Sequence, residues 1–159
     1  MSRCYLDANF LYTHLRAARA AAPRQVEDWR NRVLAELTVE GATISALVLD
    51  ELAYRLILAW LRDDGDKDPL STYRADPRAA MRAVRRRLTS TWRSIESLPL
   101  ELQPTDNAVV ERAKSLMARP GLAPRDAFHA AHALAAGCSV IASADAAFDE
   151  VPGLRRLAP

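Results

Sequence analysis

The sequence predicts an α/β domain built on a mostly parallel sheet that is covered on both faces. Two observations carry that prediction. Short strand-like runs alternate with longer helical patterns along the chain, the order that parallel strands joined by crossover helices require. Glycine and proline fall at the joints between these runs, where helices start and stop.

The first strand spans residues 3–7, and residues 42–45, 100–104 and 139–143 supply three more, with a last short one at 154–157. Helical periodicity fills the intervals. Residues 10–22 and 24–40 form two helices parted by Pro23, and Gly41 stops the second. Residues 46–61 form a long apolar-periodic helix with Ser45 as its N-cap. Residues 77–98, 106–118 and 124–136 supply three more, the last closed by Gly137 just past its end. The stretch RDDGDKDPLSTYRAD, residues 62–76, reads as a loop insertion. Its Asp64, Asp66 and Asp68 imitate the opening of a calcium loop, but Pro69 stands where the glycine belongs and Ala75 where the bidentate glutamate belongs, so a solvated turn is expected.

At 159 residues the chain is read as a single domain, residues 1–159, large enough to bury about two-thirds of its unfolded surface. Half the residues are apolar and 26% are charged, which excludes the disordered and membrane classes. No apolar run approaches the roughly 20 residues that span a bilayer, and a cytoplasmic protein with no membrane partner is expected. Cys4 and Cys138 stand in apolar runs without a Cys/His cluster, as buried free thiols do. The cations are almost all arginine, which moves the expectation towards nucleic acid only slightly at a net charge of +2.

Four acids lie at or just beyond the carboxyl ends of strands, where open parallel sheets bind ligands. Asp7 closes the first strand in CYLDANFLYTHL and, taken alone, reads as a helix cap. Glu51 lies about a turn and a half into the helix after the second strand, among leucines that make an unpaired carboxylate costly. Its neighbour Asp50 is the other candidate, and the apolar stripe favours Glu51. Asp126 occupies the first turn of its helix behind Pro124, and Asp145 follows the last buried strand. Each has a capping role available. Together in one cleft they require protonation or cations, since two charges at 4 Å repel by roughly 4 kcal/mol at an effective dielectric of 20. Hard oxygen donors suit Mg²⁺ or Mn²⁺ and the metal-assisted hydrolysis of phosphodiesters.

YLDANFL at 5–11, ISALVLDEL at 44–52, LAPRDAFHAAHAL at 122–134 and SADAAFDEVPGL at 143–154, in that order, resemble the PIN-domain family, in particular its VapC-type ribonuclease toxins. The resemblance implies a three-layer α/β/α sandwich and a Mg²⁺- or Mn²⁺-dependent endoribonuclease. It implies that Asp7, Glu51, Asp126 and Asp145 are both the catalytic residues and the metal ligands, supported by Asn9, Ser143 and Asp149. It further implies an RNA substrate, a homodimer and a cognate antitoxin. Apolar faces near Leu11, Leu15 and 47–60 exceed what one small core is expected to bury, which fits such partners. The competing readings are a non-catalytic PIN module that binds RNA or protein, and an aspartyl-nucleophile phosphatase, which needs a second aspartate where this chain has Asn9.

Two features stand apart. His129 and His132, at i and i+3, have metal-binding spacing, yet among alanines they read as packed under the sheet or reaching the surface, with His129 near the face of Asp126. MRAVRRRLTSTWR, residues 81–93, has two readings: a solvated face with Trp92 in the core, or an RNA-contacting face with Trp92 as a stacking surface.

Overall fold

The computed structural model describes residues 3–17 and 23–159. Five strands form one parallel sheet: β1 (Arg3–Leu6), β2 (Ala42–Ser45), β3 (Leu100–Gln103), β4 (Cys138–Ala142) and β5 (Arg155–Leu157), in the order β3-β2-β1-β4-β5. Seven α-helices accompany it among the described residues: α1 (Ala8–Ala17), α2 (Arg24–Glu40), α3 (Ala46–Asp63), α4 (Pro69–Ala75), α5 (Pro77–Glu96), α6 (Asn107–Ala118) and α7 (Pro124–Ala135). The expected α/β fold with a parallel central sheet is therefore present.

The chain divides into two compact units, Met1–Leu49 with Leu100–Pro159, and Asp50–Pro99. In the first, the chain steps outward from β1 to β2 to β3 and then returns across the sheet to β4. Right-handed crossovers therefore place α1 and α2 on one face and α6 and α7 on the other. The packing agrees, with α2 against β1 and α7 against β2 and β4. Strand order reverses between β1 and β4, so the crevice of this sheet opens beyond the ends of those two strands. Cys4, Tyr5, Leu6, Val140, Ile141 and Ala142 are all buried, as strands covered on both faces must be. The thiols of Cys4 and Cys138 are free and buried, and burial pushes the Cys4 thiol up to about 12. Gly137 takes φ 72° directly after α7, a conformation that L side chains avoid.

The second unit comprises α3 from Asp50 onward, α4 and α5. Leu52, Leu56 and Trp60 recur at helical spacing along α3 and are buried. Arg87 of α5 pairs with both oxygens of Asp64, and its guanidinium lies 5.6 Å from the centre of the Trp60 ring.

Several details differ from the sequence expectation. Segment 62–76 is not all loop, because Asp68 Oδ1 accepts from the Ser71 amide at 3.2 Å and Pro69 opens α4. With Asp64 paired to Arg87 and Asp66 accepting from the Asp68 amide, these acids are used in capping and pairing. The first helix starts two residues early, at Ala8, and its expected extension over 18–22 lies outside the described residues. Leu11 and Trp60, taken from faces expected to exceed the core, are buried within the chain. Trp92 is only half-buried. Among the described residues no helix is long and apolar enough to cross a membrane.

Candidate functional site

The site is built from the residue at which β1 stops. The Asp7 amide donates to the Ala142 carbonyl at 3.2 Å, one step past the last strand residue, and so holds Asp7 against the end of β4. Its own carbonyl accepts from the amides of Phe10 and Leu11, which starts α1. The residue is 5% exposed, and a carboxylate so placed is tolerated only if its oxygens are satisfied. They are: Oδ1 accepts from the Ala8 amide at 2.6 Å, and Oδ2 accepts from Asn9 Nδ2 and Ser143 Oγ, each at 2.6 Å.

Asn9 in the first turn of α1 and Ser143 just past β4 fix that carboxylate from two sides of the chain. The Ser143 hydroxyl donates to Asp7 and accepts from Asn9 Nδ2 at 2.9 Å and from the Asp145 amide at 3.0 Å. That uses all three of its hydrogen-bonding capacities. Asn9 Oδ1 accepts from the Ala144 amide at 3.1 Å, tying the start of α1 to the turn after β4. Asp145 lies exposed at the end of this chain of contacts, with Oδ1 accepting from the Ala147 amide at 2.9 Å as it caps the 3₁₀ turn Ala146–Glu150. Asp7, Asn9, Ser143 and Asp145 thus form one hydrogen-bonded group at the point where strand order reverses.

Asp126 is half-buried on the first turn of α7. One turn further, on the same helical face, His129 Nε2 stands 3.8 Å from Asp7 Oδ1, while Nδ1 is 3.1 Å from the Tyr5 hydroxyl. The Tyr5 hydroxyl also lies 2.7 Å from Ser45 Oγ. This Ser45–Tyr5–His129 chain runs under Asp7 and went unrecognised in the sequence. The available signal was Tyr5 itself, a phenol in a fully buried strand whose hydroxyl needs a partner.

Glu51 falls in the second unit, with its side chain 19% exposed and Arg55 Nη1 3.8 Å from Oε1, one turn along α3. Asp50 is exposed. Asp149 is engaged by Arg156 through two bonds of 2.9 and 2.7 Å. Asp149 holds Arg156 above its ordinary range, and Asp145 adds to the same effect from further away. A cation therefore stands near Asp145 but is tied to Asp149. Of the two placements the sequence leaves to the histidines, both take the buried one, with His132 Nε2 3.2 Å from Thr105 Oγ1. Among the described residues no three His, Cys, Asp or Glu side chains cluster closely enough to hold a metal ion between them. The acids at the sheet's crevice offer oxygen donors, the chemistry that suits a hard divalent cation.

A parallel sheet with a buried, hydrogen-bonded aspartate at its switch point defines the class. The PIN domain family model matches residues 4–154, and the chain belongs to that family. Two solved structures of similar fold are VapBC2 from Rickettsia felis bound to a DNA fragment from its promoter, and DNA-bound VapBC from Salmonella typhimurium. The first has a TM-score of 0.57 at 18% identity and covers 96% of each chain. The second has a TM-score of 0.56 at 21% identity, over 98% of this chain and 97% of that one. At those identities the likeness is one of fold. No curated protein matches the sequence at a significant level.

Proposed function

We propose that the chain is a divalent-metal-dependent endoribonuclease of the VapC type, the toxin of a type II toxin–antitoxin pair. The observation that carries this reading is the buried Asp7 carboxylate, which Asn9 and Ser143 hold at the crevice of a PIN-family sheet. Asp7, Asp126, Asp145 and Glu51 are the residues that would hold Mg²⁺ or Mn²⁺, and a bound ion would activate water and neutralise the departing oxygen. The chain's own contribution is orientation. Ala8, Asn9 and Ser143 hold the Asp7 side chain in one orientation through three hydrogen bonds. The resemblance supplies the other parts of the reading: RNA as substrate, a cognate antitoxin, a homodimer and action in the cytoplasm. The two similar structures, each a VapBC assembly, support the antitoxin.

The test is cleavage of labelled RNA by the purified protein with Mg²⁺ or Mn²⁺, with and without chelator. Cleavage that the chelator stops, and that Asp7→Asn lacks, is expected; metal-dependent turnover in Asp7→Asn would remove the assignment. A second reading, a non-catalytic PIN module that binds RNA or protein, is favoured by the absence of a three-ligand cluster among the described residues. It predicts no cleavage and no thermal shift on adding Mg²⁺.

A further inference from the structure

We infer that the solvent face of α5 is a phosphate-binding ridge that grips the backbone of the RNA substrate, an inference that rests on the proposed nuclease reading. The helix PRAAMRAVRRRLTSTWRSIE carries six arginines and one acid, Glu96. Those charges give α5 a net +5 in a chain whose total is +2, so the remainder of the chain is net −3. The positive charge of this protein is concentrated on one helix.

The arginines are also sorted by face. Ala80, Val84, Leu88, Thr91 and Ile95 form the buried stripe. At about 100° per residue, Arg78, Arg82, Arg85, Arg86 and Arg93 fall within an arc of about 100° on the opposite side. All five are exposed. The sixth, Arg87, points away from that arc and is the one that Asp64 neutralises. None of the five ridge arginines has a carboxylate partner among the described residues, so the ridge is not a salt-bridged surface.

Its dimensions suit a nucleic-acid strand. From Arg78 to Arg93 the helix rises about 22 Å, and Arg78, Arg82 and Arg86 succeed one another about 6 Å apart. That is close to the reach between neighbouring phosphates on an extended strand. Guanidinium forks bind phosphate oxygens two at a time, which ammonium groups do not. Trp92 lies half-buried beside the arc, an aromatic residue of the kind on which bases stack. A face that was only solvated would not need five cations of one sign in one arc, where they repel each other.

The experiment measures binding of the full chain to a short fluorescein-labelled single-stranded RNA in EDTA, so that cleavage plays no part, over a salt titration. The DNA strand of the same sequence is measured in parallel. In the variant with Arg78, Arg82, Arg85, Arg86 and Arg93 all changed to Gln, the slope of log affinity against log salt should fall by about 3.5, at about 0.7 per lost phosphate contact. The matching five-Lys variant should keep most of that slope, which separates lost charge from a damaged helix. A Gln variant with unaltered slope overturns the ridge, as does a Lys variant that loses it equally. Equal ridge-dependent slopes on RNA and DNA support contact with the shared phosphodiester backbone. Ridge-dependent binding by a wild-type chain that never cleaves RNA would leave the ridge standing and remove the nuclease.

Discussion

Ser143 Oγ donates a 2.6 Å hydrogen bond to Asp7 Oδ2 from 136 residues further along the chain. The same hydroxyl accepts from Asn9 and from the Asp145 amide, so one serine joins three of the residues proposed for the site. Replacing it by alanine leaves one of the donors to Asp7 missing and two other donors without their acceptor. Ser143→Ala should cost about 1–3 kcal/mol in a urea melt with an unchanged m-value. It should also weaken metal dependence, seen as a higher Mg²⁺ concentration for half-maximal cleavage.

Asp7→Asn should abolish cleavage with the helical circular dichroism preserved. A metal readout independent of activity accompanies it. Excess Mg²⁺ should raise the melting temperature of the wild-type chain, by the free energy of binding to the folded state alone, and should not raise that of the variant. Equal shifts in both proteins would place the ion elsewhere.

Arg156 is shared between two acids, bonded to Asp149 and under the influence of Asp145. In Asp149→Asn the Arg156 guanidinium loses its bidentate partner and is left with the weaker influence of Asp145. The expected outcome is weaker Mg²⁺ activation in Asp149→Asn and its recovery in Asp149→Asn combined with Arg156→Gln. Activation that is normal in the single variant would show that Arg156 does not reach Asp145.

Tyr5→Phe removes the hydroxyl that links Ser45 and His129 and leaves both without that buried partner. A loss of about 1–3 kcal/mol is expected in equilibrium unfolding, larger than for Tyr54→Phe, where the side chain is exposed.

Stability should fall on mild acidification. Burial pulls the His132 imidazole below its ordinary range, with nearby His129 adding to this and Asp106 opposing it; burial and Arg30 do the same to His14. A lowered folded value means that the unfolded chain takes up protons first. The stability is therefore present in full above about pH 6.5 and declines as pH falls towards the folded values. The melting temperature should be lower at pH 5 than at pH 8, and His132→Gln should narrow the gap.

Much of this fold was legible because its signals are local. Ala42–Ser45 and Arg24–Glu40 stand where the sequence placed them, since Gly41 separates them sharply. Helix α4 had the same signals as α5 and α7, an acid or loop residue followed by proline at the first helical position, but the dense aspartates of 62–76 obscured them. At the site, the strand-end position of Asp7 was readable, whereas Asn9 and Ser143 were pointed to only by the family resemblance. The Tyr5–Ser45–His129 chain was not, because its members are 40 and 124 residues apart and no periodicity relates them. The bond between Asp149 and Arg156 likewise depends on β5 lying beside β4, which only the sheet order reveals.

The pairing of β1 with β4 has a consequence for how the protein is born. Asp7 is made 136 residues before Ser143, the serine that completes its surroundings, and Leu6 faces Ala142 in the finished sheet. Helices can form as the chain emerges, whereas this contact must await the 136 residues that separate its two partners. A ribosome that stalls before Cys138 therefore releases a chain with its central strand unpaired on one side and Asp7 without Ser143. If the proposed activity is correct, an interrupted translation product of this protein is harmless to the cell's RNA.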